Sequence, residues 1–323
     1  MKSGSNLEKV LASGKPAVTA ELGPPMSADG HEIVKKAQML KGFCDAANIT
    51  DCQTAVVRIS SIAAGAIAFR QGLEPVMQMT CRDRNRIAMQ ADLLGAAALG
   101  LKNCLCLAGD HQKFSAAGKL KGHPGAKNVY DVDTCQLVGI LKKMRDEGKQ
   151  EGGDPLEVAP KFFVGASWTP MGDPIDFRPI NLLKKVNAGA DFIQTQGIYD
   201  MSLFREQMAK IRNMGLHERT AILAGIIVPK SAMMLKYMDS SVAGVSVPKE
   251  MIDRMNKAKA AAGEDKKKAR ELQEQEGLKI TVELIHQALE TPGVRGVHIQ
   301  AIEWESAIEG IVKAAGLYPR PQV

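Results

Sequence analysis

The sequence predicts an α/β fold, a (βα)8 TIM barrel with extra helices inserted before the last strand. Three observations carry this. Eight short strand-like runs alternate with amphipathic segments, the pattern of parallel strands joined by right-handed crossovers. Eight such units in 323 residues match the size of a closed barrel. A doubly wound sheet would announce a Gly-rich phosphate turn after its first strand. The turn there reads "ELGPPMSADG" and holds no GxGxxG.

The elements follow in order. "AVTAEL" (17–22) leads through Glu21 into the rigid turn "GPP". "AANIT" (46–50) ends on Thr50 and Asp51. "PVMQMT" (75–80) carries Gln78 and Thr80 and runs into "CRDRNR". The segment "NRIAMQADLLGAAALG" places apolar residues three and four apart, as a helix on a barrel does. The plain structural alternative for Arg82 to Arg86 is the start of a solvated helix with Asp83 as its cap. "NCLCLAG" (103–109) leads to Asp110. "FFVGAS" (162–167), "DFIQTQ" (191–196), "AILAGII" (221–227) and "GVHIQAI" (296–302) complete the eight. Two stretches break the repeat. Residues 111–130 form a long Gly- and Lys-rich loop after the fourth strand, where barrels keep working loops. Residues 248–290 hold a helical insert whose charged centre reads as a solvated helix pair interrupted at Gly263. The expectation is one domain over 1–323.

Composition narrows the function classes. A net charge of +6, without a basic block interleaved with aromatics, argues against nucleic acid and suits an anionic small molecule. The six cysteines form no CxxC pair and read as small buried hydrophobes in a reduced compartment. The N-terminal "MKSGSNLEKVLASGK" lacks an apolar targeting core, and no run approaches membrane length. The expected location is the cytoplasm, away from any membrane.

Barrel chemistry sits at the C-terminal ends of the strands. Reading those ends gives Glu21, Thr50, Asp51, Gln78, Thr80, Arg82, Asp83, Arg84, Asp110, Ser167, Trp168, Gln194, Gln196, Pro229 and Glu303. Two carboxylates in one mouth, Glu21 and Asp110, can be divided by environment into an acid and a base or charge stabiliser. His298 lies inside the last strand without a second ligand and reads as a satisfied core or mouth residue, so no metal is expected.

At these residues the sequence resembles the flavin-dependent methylenetetrahydrofolate reductases. The matching stretches are "TAELGPP", "NITD", "EPVMQMTCRDRNRIAMQADLLGAAALGLKNCLCLAGD", "VNAGADFIQTQGIYD", "AGIIVPKSAMMLKYM" and "GVSVPKEMIDRM". The resemblance implies a flavin across the barrel mouth and reduction of 5,10-methylenetetrahydrofolate to 5-methyltetrahydrofolate. It makes Glu21 the general acid and Asp110 the carboxylate near flavin and pterin. It assigns folate contacts to Gln196 and Tyr237. Flavin contacts carry over to Thr50, Gly109, Asp110, Tyr130, Asp131, Ala166 and Lys185, and Gln78 stands where other members carry a flavin-contacting His. Ala108 and Trp304 each replace an Arg of other members, the first near the cofactor's phosphates and the second near substrate. The implied cofactor is FAD, with FMN the alternative. The implied electron donor is NAD(P)H or a redox partner subunit, in an oligomer or hetero-complex. The competing reading is a non-catalytic flavin-bearing assembly subunit, which the presence of Glu21, Asp110 and Gln196 disfavours.

Overall fold

Eight parallel strands close on themselves in chain order: β1 Ala17–Leu22, β2 Ala46–Ile49, β3 Pro75–Thr80, β4 Asn103–Leu107, β5 Phe163–Trp168, β6 Phe192–Gly197, β7 Ala221–Ile227 and β8 Val294–Gln300. The computed structural model describes residues 1–113, 115–116, 119–120 and 122–323, with backbone alone at 115–116 and 119–120. β1 pairs with β8 in register from Ala17 opposite Gly296 to Ala20 opposite Ile299, which shuts the barrel. The expected (βα)8 barrel is therefore the observed one. Its strand ends shift for local reasons. β4 stops at Leu107 rather than 109, before the chain turns at Gly109 with φ +89. β8 lies two residues earlier than expected, ending at Gln300, with Glu303 beyond it at φ 52.

Inward-facing residues recur every second position. At the bottom they are apolar. Ala17, Ala46, Val76, Phe163, Phe192 and Leu223 pack on Leu7, Val10 and Leu11 of helix Asn6–Ala12, which plugs the barrel. The Phe163 and Phe192 rings stack with centroids 5.1 Å apart. Gly165 makes room for them, since a Cβ there would lie 2.3 Å from the Phe192 ring. Burying each such side chain stabilises by roughly 1.5–3 kcal/mol. Two residues further along the strands the same face turns polar: Thr19, Asn48, Gln78, Gln194 and His298, all buried. Two further still come Glu21, Thr50, Thr80, Ser167, Gln196 and Gln300. One end of the barrel is thus an apolar plug and the other a polar mouth.

Outward-facing residues meet the helices. Cys104, Cys106, Ala166 and Trp168 belong to this layer. Trp168 is fully buried there, and its indole donates to the carbonyl of Arg178 at 2.9 Å. It is therefore a core residue, not a mouth residue. Ser167, one position earlier, takes the inward place. All six cysteines are free, and four are buried. Helix Arg86–Ala98 is capped by Asn85, whose side chain accepts from the Ala88 amide at 3.0 Å. Asp83, the cap of a plain solvated helix there, is instead drawn to the Arg82 guanidinium.

Residues 248–290 divide in two. Helices Lys249–Ala260 and Lys266–Leu289 lie together, with Gly263 at φ 62 in the turn. Arg254 joins them through Glu276 at 2.8 Å and Glu283 at 2.6 Å. The second half of the long helix buries Ile280, Leu284, Ile285 and Ala288 and serves as the crossover into β8. Gly277 permits this, because a Cβ there would sit 1.8 Å from the Pro229 carbonyl oxygen. Among the described residues no helix is long and apolar enough to cross a membrane. In the loop 111–130, Ser115–Ala116 pairs antiparallel with Lys119–Leu120, while 114, 117–118 and 121 fall outside the described residues.

Candidate active site

A cavity of about 400 Å³ opens at the C-terminal end of the barrel, within the size range of small-ligand sites. Its floor is a hydrogen-bonded band across the barrel. Asn48 and Gln194 exchange amide hydrogen bonds at 2.6 and 3.0 Å. Gln194 Nε2 also donates to Thr19 Oγ1 at 3.1 Å, and that hydroxyl meets His298 Nδ1 at 3.0 Å. Burial pushes His298 down to about 3, so the imidazole is neutral. With Gln194 of the floor, the lining is rich in amides: Gln53, Gln78, Gln196 and Gln300 join it. Leu105, Leu107, Ala108 and Gly109 supply a flat apolar side.

Glu21 stands on one wall. Its nearest donor is Gln300 Nε2, at a long 3.4 Å. Part of its surface faces the cavity, but the surrounding protein removes it from bulk water. That burial raises its proton affinity above that of an ordinary carboxyl. The Gln300 bond opposes the rise, Glu305 adds to it and Lys36 reduces it.

Asp110 stands across the mouth, exposed, and accepts from the Thr54 amide at 2.7 Å. Cys52, Thr54 and Ala55 all have φ between 48 and 57, a region that L residues enter at a cost of roughly 1–3 kcal/mol each. Arg82 holds the loop down. It is 2% exposed, donates to the Asp110 carbonyl at 3.0 Å and the Cys52 carbonyl at 3.2 Å, and pairs with Asp83. Arg84 pairs with buried Asp51 at 2.8 Å, and Asp51 also accepts from the Thr80 amide and hydroxyl. The "CRDRNR" cluster is therefore a brace for the loops after β2 and β4.

The structure brings together Glu21, Asp110, Gln196, Thr50, Gln78 and Gly109 as lining residues. Thr50 donates to Gln53 Oε1 at 2.8 Å. Gly109 approaches closely, since a Cβ would lie 3.0 Å from Thr80 Cβ and 3.1 Å from Arg82 Cβ. Tyr130 stands just outside and donates its hydroxyl to the Gly109 carbonyl at 3.2 Å. Lys185 reaches the Ser167 carbonyl from behind β5, and burial lowers its proton affinity. Three others are elsewhere. Asp131 is held by Arg86 at 2.9 Å at the start of helix Arg86–Ala98. The Ala166 side chain faces the helix layer, by strand alternation. Tyr237 is half-buried on helix Ala232–Ser241 and does not line the cavity. Sequence reasoning missed Asn48, Gln53 and Gln300. The signal for two of them was present, because Asn48 lies two before Thr50 and Gln300 two after His298 on inward faces.

The residues suit a flat heterocycle such as a flavin or a pterin. At Gly109 the backbone itself borders the cavity, and a Cβ there would press on Thr80 and Arg82. The amides offer donors and acceptors to ring edges, and the buried Gln300 Oε1 has no partner of its own.

Comparisons with known proteins bear on the family and the fold. The family model for methylenetetrahydrofolate reductase matches residues 6–316. Methylenetetrahydrofolate reductase 1 of Schizosaccharomyces pombe is 26% identical over 249 residues, covering 76% of this chain and 36% of that protein. A probable methylenetetrahydrofolate reductase (NADPH) of Caenorhabditis elegans is 22% identical over 267 residues, covering 81% and 35%. The chain thus spans about a third of the length of these curated relatives. Among solved structures, an uncharacterized protein from Clostridium thermocellum that binds two copies of 5-methyl-5,6,7,8-tetrahydrofolic acid superposes with a TM-score of 0.60 at 14% identity, covering 96% of this chain and 98% of that one. At that identity the likeness concerns the fold.

Proposed function

The chain belongs to the methylenetetrahydrofolate reductase family, and on that premise we propose that it reduces 5,10-methylenetetrahydrofolate to 5-methyltetrahydrofolate with a flavin bound at the barrel mouth. The observation that carries the reading is Glu21, a carboxyl whose surroundings favour its protonated form, on the wall of an amide-lined cavity. No side chain donates hydride, so the bound flavin would supply it. The chain's own part is to bind, orient and move a proton. Glu21 gives its proton to the ring nitrogen that leaves the bridging methylene. That carbon–nitrogen bond breaks, and the methylene is left as an iminium on the other nitrogen, ready to accept hydride. Gln196 and Gln300 present amide groups to the substrate side of the cavity. Thr50, Gln78, Gly109 and Tyr130 flank the side assigned to the flavin. Asp110, fixed by the Thr54 amide and the Arg82 brace, supplies a standing negative charge.

The same reading extends to the electron donor. We take a redox partner subunit, rather than NAD(P)H, as the source. The charged helix pair and the Trp304 turn, where Lys230 lies 5.9 Å from the indole centroid, offer surfaces on which such a partner could dock.

The test is direct. The purified protein should show flavin absorbance, and the mass of the released cofactor distinguishes FAD from FMN. With an artificial reductant under anaerobic conditions it should convert methylenetetrahydrofolate to methyltetrahydrofolate. A colourless protein that binds folate, or a yellow one that never turns it over, defeats the proposal. Stopped-flow mixing with NADH and then NADPH tests the donor, and bleaching within milliseconds by either removes the need for a partner.

A further inference from the structure

Glu21 has a second carboxyl near its wall. Glu305, in the turn after β8, is 7% exposed. It meets Lys36 Nζ at 2.6 Å. Lys36 belongs to helix His31–Leu40, the crossover that follows β1. Its ammonium also donates to the carbonyl of Gly23 at 3.2 Å. Gly23 lies two residues past Glu21 in the "GPP" turn. One side chain thus ties together the two turns that flank Glu21, one from β1 and one from β8. Holding two turns together does not require charge, because well-packed apolar side chains in place of a buried ion pair are often neutral or stabilising. An apolar contact would leave the local field unset.

We propose that the Lys36–Glu305 pair is a charge-setting and positioning device for Glu21. It rests on the reading of Glu21 as proton donor. The charged groups around Glu21 are few. From β2 the facing groups are Asn48 and Thr50, which carry no charge. From β8 they are Gln300 and the neutral His298. Asp51, beyond β2, is consumed by Arg84. Arg58 reaches the same turn at the Pro24 carbonyl, 3.0 Å away, but the charges that act on Glu21 are Glu305, which favours its protonated form, and Lys36, which favours the ionised form. As a pair they act in opposite directions. Removing either uncovers the other.

The experiment titrates the Glu21 carboxyl itself, by infrared difference spectroscopy on the flavin-loaded protein without folate. The band is assigned by its disappearance in Glu21→Gln. Glu305→Gln should lower the midpoint by about one pH unit, and Lys36→Met should raise it by about as much. The double variant should return it to within a few tenths of a unit. Lys36→Arg, which keeps the charge, should leave it in place and controls for altered packing. The inference is overturned if Glu305→Gln fails to lower the midpoint, if Lys36→Met fails to raise it, or if the double variant does not restore it. The readout needs no turnover. Should the midpoints move as expected while Glu21→Gln still reduces folate at the wild-type rate, the pair stands and the role of Glu21 as donor falls.

Discussion

The two walls of the mouth hold their carboxylates in opposite ways. On the β1 and β8 side, Glu21 is withdrawn from water and has one donor at 3.4 Å. Across from it, Asp110 is exposed and receives a backbone amide at 2.7 Å, in a loop braced by a buried arginine. Desolvation without strong donors favours a carboxylic acid. Exposure with a short donor fixes where a carboxylate sits. The comparison teaches that a proton carrier and a fixed charge can be told apart by what surrounds each carboxyl, although both lie at strand ends of one barrel.

The largest expected break comes from Glu21→Gln. Folate reduction should fall by roughly two to four decades, the usual worth of a general acid, while reduction of the flavin by an artificial donor continues. A rate near wild type would assign the proton to another group. In the unaltered protein the rate should decline as pH rises through the raised Glu21 midpoint, because only the protonated form donates. Rate measurements from acid to alkaline pH check the sign.

Arg82→Met tests the opposite wall. It strands Asp83 and frees the Cys52 and Asp110 carbonyls. We expect a loss of about 3 kcal/mol in unfolding stability, read by urea titration, with a looser loop at Thr54. Asp110→Asn should do less. The geometry stays, since the amide oxygen can still accept from Thr54. Turnover should drop by roughly one decade, about 1.4 kcal/mol. The flavin midpoint potential should rise, because a negative charge no longer opposes the reduced form. An unchanged potential would remove Asp110 from the flavin's vicinity.

The last test concerns the floor. His298 is neutral when folded, with its proton affinity pushed down to about 3, and returns to its ordinary range when unfolded. The unfolded chain therefore binds the extra proton between these limits. Stability should fall as pH drops from about 6.5 toward 3, by about 1.4 kcal/mol per pH unit from this group. The urea midpoint of wild type measured against His298→Gln at pH 7 and pH 5 isolates it. Equal pH slopes in both proteins would contradict the neutral imidazole.

Much of the barrel was legible because strand alternation and helix spacing are local signals. Glu21, Asp110, Gln196, Thr50 and Gln78 are legible as strand ends and Gly109 through the family resemblance, and they line one cavity. What escaped was set by contacts distant in sequence. Asp83 reads as a cap in isolation, yet a buried arginine takes it and leaves the cap to Asn85. Trp168 and Ser167 are adjacent, and only the phase of β5 decides which one faces the mouth. The pairing of Lys36 with Glu305 spans most of the chain, and no spacing rule connects them. Asp131 and Tyr237 were carried over from the family, and here they lie outside the cavity lining.

The band of Asn48, Gln194, Thr19 and His298 has a direction as well as a place. With the amides as they stand, Gln194 gives one hydrogen to Asn48 and its other to Thr19. The Thr19 hydroxyl then has two acceptors in reach for its own hydrogen, His298 Nδ1 at 3.0 Å and the Val297 carbonyl at a longer 3.5 Å. Given to the nearer one, it leaves the imidazole proton on Nε2. Turning one amide over would leave two donors or two acceptors facing each other, so the band can reverse only as a whole. The floor of the mouth is therefore polar in the vector sense. Beyond the reciprocal pair of β2 and β6, its hydrogens point in sequence from β6 through β1 to β8, and a ligand lying above it meets an oriented row of dipoles.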